Sequence, residues 1–191
     1  MSTANKSIDV LFSLLGKYDS EKYIGENISQ LQHSLQAAYF AKKTKSDDRV
    51  VLAALLHDTG HMCAAADAPQ MANLGVLHHE DIGAEYLKDL GVDQTICDLV
   101  RSHVQGKRYM CFKNQTYFRQ LSKASLGTLQ FQGGPMSEKE ALAFEKHPLF
   151  ESMILVRKVD EMGKQENLEV PNLESYRQTL LAYTDHRINF K

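Results

Sequence analysis

The chain has 191 residues, of which 43% are apolar, and its 22 basic and 24 acidic residues give a net charge of −2. A chain of this length buries about 70% of the surface that its unfolded form exposes, so one folded domain needs no stabilising disulfides. The near-neutral charge argues against a protein that binds nucleic acid or a membrane surface through a basic excess, and we expect neither partner.

The cysteines and the apolar runs exclude further classes. Cys63, Cys97 and Cys111 form no C-x-x-C pair, so neither a disulfide framework nor a cysteine zinc site is expected. No apolar run approaches the roughly 18 residues that span a bilayer, and the first residues lack the basic and apolar segments of a secretory signal. We therefore expect a cytoplasmic protein.

In chain order, apolar residues recur with helical spacing nearly everywhere. The predicted helices cover residues 8–15, 28–39, 50–56, 82–90, 93–103, 117–121, 137–144, 148–163 and 173–183. Ser29, Asp93 and the Ser137/Glu140 pair have capping positions, and Gly91 closes the fourth helix. No useful period-2 run, repeat or linker interrupts this pattern. The sequence therefore predicts an all-α fold with one domain over residues 1–191.

The densest group of reactive residues is the segment His57-Asp58-Thr59-Gly60-His61, directly after the apolar third helix. A helix that ends there can direct His57 and Asp58 at one point, and Gly60 permits the necessary break in the backbone. Imidazole and carboxylate without thiolate favour iron, manganese or zinc over a soft copper site. A carboxylate can also bridge two metals.

Other candidate ligands lie on separate predicted helices. His33 lies on the second helix, His103 ends the fifth, and His79 opens the fourth beside its competitor His78. Asp160 lies among the valines of the long amphipathic segment, where an unpaired carboxylate is costly. Ligands spread over the apolar faces of several helices are what a metal site inside a helical bundle requires.

These residues match the H…HD…D signature of the HD-domain superfamily, which is all-α and binds one or two metals. Further segments resemble a narrower group within it, the mixed-valent di-iron oxygenases that cleave carbon–phosphorus bonds. The matching segments are residues 23–26 (YIGE), 30–34 (QLQHS), 52–61 (LAALLHDTGH), 107–109 (KRY), 132–136 (QGGPM) and 160–165 (DEMGKQ). The resemblance covers almost the whole chain, in order.

The resemblance implies two iron ions, Fe(II) and Fe(III), held by two sets of ligands. The first set is His33, His57, Asp58 and Asp160; the second is His79 and His103, with Asp58 as the bridge. The second iron then keeps more open positions, which suits an oxygenase better than a closed structural site. His78 stays the alternative to His79, and His147 and His186 are expected at the surface.

Tyr23 resembles the tyrosine that occupies an iron position until substrate binds, and Glu26 the carboxylate that pairs with a substrate ammonium. Their i, i+3 spacing places both on one face of a helical turn. Without the resemblance, Tyr23 would be read as a packing aromatic and Glu26 as an acid in the first turn of a helix.

A phosphonate dianion also needs donors. Lys107 follows His103 by one helical turn, and His61 follows His57 by four residues, so both are expected to contact the substrate. Ser125 and Arg157 fit the pattern of the family as further oxyanion contacts. The ordinary alternative for each basic residue is a solvated surface charge.

The implied reaction uses O2 to convert a 1-hydroxy-2-aminoethylphosphonate-type substrate into phosphate and a carboxylic acid such as glycine. The first alternative is the same chemistry on the 2-trimethylammonio analogue, which gives glycine betaine. The second is a metal-dependent HD-domain phosphohydrolase. The third is a metal-stabilised helical module without catalysis. The oligomeric state is not specified by the sequence.

Overall fold

The computed structural model describes residues 3–23 and 25–185, and helices supply the regular structure of this part of the chain. The β pairing among these residues consists of three isolated bridges, which confirms the all-α prediction. The α-helices are α1 (Thr3–Lys17), α2 (Gln30–Lys43), α3 (Asp48–Leu56), α4 (Thr59–Cys63), α5 (His79–Asp89), α6 (Gln94–Lys113), α7 (Gln115–Gln120), α8 (Lys123–Phe131), α9 (Glu138–Phe144), α10 (Phe150–Met162) and α11 (Arg177–Ala182). Among the described helices, none has the length and hydropathy needed to cross a membrane.

The predicted caps form at the helix starts. The Ser29 hydroxyl accepts the Gln32 N–H at 3.0 Å and begins α2, and Asp93 caps α6 in the same way. Ser137 and Glu140 form a reciprocal capping box at the start of α9. These local signals set the starts of the helices that carry His33 and His103.

Helix α3 lies at the centre of the bundle, and every residue from Val50 to Leu56 is buried. Helices α2, α6 and α10 pack against it, and α10 also contacts both α2 and α6. The chain leaves α3 at His57 and Asp58 while still inside the bundle. Two polar side chains are thereby delivered directly into the core.

Two local predictions for this region are wrong. Helix α6 does not end at His103 but continues to Lys113, so His103 and Lys107 share one helix. Gly60 does not break a helix, because the break falls at His57 and Asp58 and Gly60 lies within α4. A Cβ at Gly60 would lie 1.8 Å from the carbonyl oxygen of His79. Glycine is required there because the backbones of α4 and α5 touch.

Helix α8 was not predicted from the sequence. Only Leu129 of its nine residues is buried, so no apolar stripe marks it. With Cys111 and Leu121, Leu129 forms a small satellite cluster beside the main core. Helix α8 thus lines the cavity that the histidines also line.

Candidate metal centre

Six buried side chains from five parts of the fold converge near the centre of the bundle. Each is at most 6% exposed. They are His33 of α2, His57 and Asp58 of the α3–α4 junction, His79 at the start of α5, His103 of α6 and Asp160 of α10. These are the six residues that the sequence predicts as ligands, and the structure brings all of them together.

His33 and His57 form one half of the cluster. Their Nε2 atoms lie 3.1 Å apart. Asp58 Oδ2 lies 3.6 Å from His33 Nε2 and 3.4 Å from His57 Nε2, and Asp160 Oδ1 lies 3.4 Å and 3.7 Å from the same two atoms. Donors bound at about 2.1 Å to one metal are separated by roughly these distances.

His79 and His103 form the other half. Their Nε2 atoms lie 3.0 Å apart, and Asp58 Oδ1 lies 3.7 Å and 3.8 Å from them. Asp58 therefore turns one carboxylate oxygen to each histidine pair. This is the geometry of a carboxylate between two neighbouring cations.

The backbone fixes the orientation of all four rings. Each Nδ1 lies 2.7–3.1 Å from a main-chain carbonyl oxygen, so each Nδ1–H donates and each Nε2 faces the carboxylates. The acceptors are the carbonyl groups of Gly163, Ala54, Val76 and Val100. Rings held this way present lone pairs that are suited to a metal.

Burial and neighbouring charges act differently on three of the rings. Burial lowers the pKa of His103 to about 4, and burial together with His61 lowers the pKa of His79. Both rings then favour the neutral form, whose single proton the carbonyl contacts place on Nδ1, away from the two Nε2 atoms that lie 3.0 Å apart. Burial also acts to lower the pKa of His57, but Asp58 and Asp160 outweigh it and raise that pKa to about 9.

The carboxylates are ionised and only partly satisfied by the protein. Burial opposes ionisation of Asp160, yet Arg157 and His57 outweigh it and hold its pKa well below the usual range. Asp160 Oδ1 is buried with no hydrogen-bond donor. A buried carboxylate oxygen without a hydrogen-bond donor fits a bound cation, and imidazole with carboxylate fits iron, manganese or zinc.

His61 lies close enough to Asp58 and His79 to qualify as a ligand by distance alone. Its ring stacks on His79 at 3.9 Å, but its Nδ1 accepts the Val76 N–H at 3.1 Å. A neutral His61 therefore carries its proton on Nε2 and is a donor there. The His61 ring is set up to donate a hydrogen bond, whereas the His79 ring is set up to bind a metal.

A cavity of about 60 Å³ opens onto this cluster. Its walls include Tyr23, Glu26, His61, Lys107, Ser125 and Arg157, the six residues that the sequence predicts around the substrate. Lys107 Nζ donates to Thr128 Oγ1 of α8 at 2.8 Å. Ser125 also lies on α8. Burial and the neighbouring Arg157 lower the pKa of Lys107 to about 7.

Lys164 also lines the cavity and was given no role from the sequence. Its Nζ donates to Ser125 Oγ at 3.2 Å and to Glu161 at 2.8 Å. The signal that could have identified it is its spacing, four residues after Asp160 and two residues past the end of α10.

Arg157 lines the cavity but is engaged by protein groups. Its Nε–H donates to Tyr117 Oη at 2.6 Å, and its two terminal nitrogens contact Asp160 and Glu161. In this state the guanidinium supports a carboxylate of the cluster.

Tyr23 and Glu26 do not lie on a helical turn, and that prediction is wrong. The Glu26 N–H donates to the Tyr23 carbonyl group and closes a reverse turn in which Gly25 has φ 81°. Tyr23 stacks on His33 with ring centroids 4.0 Å apart. A Cβ at Gly25 would lie 2.9 Å from Ala124 Cβ, so the turn rests on α8.

The loop between α4 and α5 forms another wall of the cavity through Met71 and Leu74. A Cβ at Gly127 would lie 2.6 Å from Leu74 Cδ1, so this loop also rests on α8. Ala124 and Gly127 are three residues apart and share one face of that helix. The turn at Glu26 and the loop at Leu74 are therefore neighbours on α8.

Two further histidines of the described residues lie outside the cluster. His78 is exposed, with φ 59°, just before α5. His147 is exposed before α10. His186 lies outside the described residues.

Comparison with known proteins agrees with this geometry. The model of the HD domain matches residues 31–164. A [1-hydroxy-2-(trimethylamino)ethyl]phosphonate dioxygenase (glycine-betaine-forming) of Leisingera caerulea is 36% identical over 86% of the chain and 84% of its own length. A hydroxymethylphosphonate dioxygenase of Gimesia maris is 32% identical over 96% of the chain and 91% of its own length. An uncharacterised protein of Acanthamoeba polyphaga mimivirus is 33% identical over 96% of the chain and 84% of its own length. The chain belongs to the HD-domain family.

Proposed function

We propose that this protein is a di-iron oxygenase that uses O2 to cleave the carbon–phosphorus bond of a small 1-hydroxyphosphonate. The observation that carries the proposal is the 3.0 Å approach of His79 Nε2 and His103 Nε2, beside a carboxylate that also faces a second histidine pair. Two relatives named as phosphonate dioxygenases support a reaction with O2 over metal-dependent hydrolysis, and iron is proposed from the resemblance to the oxygenase group.

The proposed ligands form two sets, which correspond to the two groups of short distances between their donor atoms. His33, His57, Asp58 and Asp160 would hold one iron, and His79 and His103 would hold the other with Asp58 as the bridge. In this assignment three protein residues would hold the second iron and four would hold the first, so the second would keep more positions for small molecules. The mixed Fe(II)/Fe(III) state follows from the resemblance to the oxygenase group.

When bound, the iron pair would supply the coordination sites and electrons that O2 activation requires. The residues of the chain would position and neutralise the substrate. Lys107, Ser125 and the Nε2–H of His61 would bind the phosphonate oxygens, since these groups line one cavity beside the cluster. The Glu26 carboxylate would attract a cationic group at the far end of the substrate. Tyr23 would cover the His33 side until substrate enters.

The reaction balances with one O2 per substrate. The C1–H and carbon–phosphorus bonds break, and C1 rises to the carboxylic acid level. One oxygen atom is added to C1 and one to phosphorus, so an acid and phosphate leave without another reductant.

Oxygen consumption tests the proposal directly. Iron-loaded protein incubated with a panel of 1-hydroxyphosphonates should consume one O2 for each phosphate and acid formed. No phosphate should form under argon. Phosphate release without O2 from a phosphate ester would support a phosphohydrolase, and iron binding without any turnover would support a non-catalytic module.

A matched pair of histidine variants serves as the control. His103→Ala removes a proposed ligand and should abolish turnover. His147→Ala removes an exposed histidine outside the cluster and should leave turnover unchanged. Equal rates for the two variants would contradict the proposed centre.

For the substrate we propose the 2-amino compound first and the 2-trimethylammonio compound second. A quaternary ammonium prefers a cage of several aromatic rings. Among the described residues that line the cavity, Tyr23 is the only aromatic one; Tyr109 and Tyr117 are not among them. Glu26, in contrast, can accept hydrogen bonds from a primary ammonium.

The two substrates can be separated by their kcat/KM values with the wild-type protein and Glu26→Gln. We expect the amino compound to be preferred by the wild type, and to lose more in Glu26→Gln than its des-amino analogue. Equal losses for the two compounds would remove the role proposed for Glu26.

A further inference from the structure

We infer that Tyr117 is a positioning residue that holds the Asp160 carboxylate in its metal-binding orientation through Arg157. This inference rests on the proposed metal centre. It concerns a side chain on the short helix α7, outside the six proposed ligands.

Arg157 is the intermediate element. It is 4% exposed, and its three nitrogens each have a different partner. Nε donates to Tyr117 Oη, and the two terminal nitrogens donate to Asp160 Oδ2 and Glu161 Oε2. A guanidinium is a rigid plane, so the hydrogen bond at Nε fixes the direction of the other two.

Asp160 is oriented by that plane. Its Oδ2 receives the Arg157 hydrogen bond, which turns Oδ1 toward His33 Nε2 at 3.4 Å. Oδ1 is the atom that has no hydrogen-bond donor. One oxygen is therefore held by the protein while the other is left for the metal.

Tyr117 itself is held from the opposite side. Its ring packs on the satellite cluster of Cys111, Leu121 and Leu129. The contact between α6 and α10 is close at this level, because a Cβ at Gly106 would lie 3.0 Å from Arg157 Cβ. Arg157 has little room to move, and Tyr117 Oη is the only one of its three acceptors that does not belong to α10.

Loss of the Tyr117 hydroxyl would leave the buried Nε–H without its acceptor. The guanidinium would then rotate to a different hydrogen-bond acceptor. Asp160, which is hydrogen-bonded to it, would lose its present orientation. Changes to groups that orient a metal ligand weaken metal binding or activity by about 10- to 100-fold.

The test compares Tyr117→Phe with Tyr109→Phe. Tyr109 also uses its hydroxyl in one hydrogen bond to an acidic partner, Glu145 at 2.7 Å, but that bond has no link to Asp160. Anaerobic Fe²⁺ titration should show that Tyr117→Phe binds one of two irons about 10- to 100-fold more weakly, whereas Tyr109→Phe matches the wild type. In iron-saturated protein, kcat should fall while KM for the phosphonate stays within about threefold.

Several results would overturn the inference. One is unchanged iron affinity and kcat in Tyr117→Phe relative to Tyr109→Phe. Another is a loss confined to KM, which would make Tyr117 and Arg157 substrate contacts. A third is an equal effect of Tyr117→Phe in the wild-type and Arg157→Lys backgrounds, because the effect must disappear when Nε–H is removed. If Arg157→Lys does not fold, the comparison with Tyr109→Phe decides alone.

Failure of the proposed function gives a different result. A wild-type protein that binds two irons but oxidises no phosphonate would remove the oxygenase proposal. The iron affinities of the two tyrosine variants would still decide the role of Tyr117.

Discussion

The imidazole rings of His61 and His79 stack on each other, but one residue gives them opposite hydrogen-bonding roles. The Val76 N–H donates to His61 Nδ1, and the Val76 carbonyl group accepts from His79 Nδ1. His61 is thereby left with a proton on Nε2 and His79 with a lone pair. The distinction between a hydrogen-bond donor and a proposed metal ligand comes from the backbone, not from the residue type.

Replacement of the two rings should therefore have different effects. His61→Ala should retain two irons per chain and raise KM for the phosphonate by about tenfold or more, since a hydrogen bond to a charged group contributes about 1.5–3 kcal/mol. His79→Ala should retain only one iron. Metal analysis and initial rates measure both effects. Loss of an iron from His61→Ala would show that His61 is a ligand.

The ionisation of Lys107 should make kcat/KM for the phosphonate depend on pH. Burial and Arg157 lower its pKa to about 7, so it is charged below that pH and neutral above it. Only the charged form attracts a dianion, so kcat/KM, which reports the free enzyme, should fall as the pH rises through about 7.

Two variants isolate the contribution of Lys107. Lys107→Arg stays charged and should lack this limb of the profile, while Lys107→Met should reduce kcat/KM at pH 6 by about 10- to 100-fold. The titration of the substrate is the same for all variants. A profile with the same limb in Lys107→Arg would assign it to another group.

Among the secondary-structure elements, α4 and α5 make the closest contact around the centre. Gly60 faces the His79 carbonyl oxygen, and a Cβ at Gly83 would lie 2.8 Å from Gly60 N. Both neighbours are backbone atoms and cannot move aside as a side chain can. The contact brings His61 and His79 into register.

Gly60→Ala should separate the two helices. We expect a loss of about 3 kcal/mol or more in the free energy of unfolding and a melting temperature lower by roughly 6–12 °C. Gly16→Ala in α1 is the control, because a Cβ there meets nothing within 4 Å and alanine favours a helix. Calorimetry on both variants tests this, and equal melting temperatures would contradict the contact.

At the scale of the whole molecule, the cluster lies where helices α2, α3, α5, α6 and α10 meet, so metal binding should stabilise the entire bundle. Each site filled at 100-fold excess over Kd adds about 2.7 kcal/mol, if the unfolded chain does not bind. That corresponds to roughly 5–11 °C in melting temperature per site. Thermal unfolding with and without a chelator measures the difference. An unchanged melting temperature after iron removal would contradict a centre shared by these helices.

Much of the fold could be predicted from the sequence because its signals are local. The apolar stripe from Ile8 to Leu15 and the caps Ser29 and Asp93 depend on neighbours within a few residues. Helix α8 could not be predicted because it buries only Leu129. Its sequence therefore has no periodic pattern of apolar residues. The spacing of Tyr23 and Glu26 does not distinguish a helical turn from a reverse turn, because residues i and i+3 are close together in both.

The six proposed ligands could be named from the sequence, whereas Lys164 of the cavity and the arrangement of the site could not. His57 and Asp58 are identified by their place after a buried helix, and His33 and Asp160 by polar character on apolar faces. The partners of Arg157 could not be predicted, since Tyr117 is 40 residues away and joins it only in the folded chain. The roles of His61 and His79 depend on main-chain groups, which residue identity does not encode.

Two loops that line the cavity, the turn at Gly25 and the loop at Leu74, pack on helix α8. They contact its small residues Ala124 and Gly127. The proposed metal ligands lie on other elements, so substitutions at Leu74 or around Glu26 can reshape the entrance without disturbing them. Such a separation lets selection act on substrate choice independently of the metal chemistry. The names of two relatives differ in the compound, a trimethylamino compound in one and hydroxymethylphosphonate in the other. In this chain, the two loops on α8 are therefore the places where we expect substitutions to change the preferred phosphonate without changing the metal content.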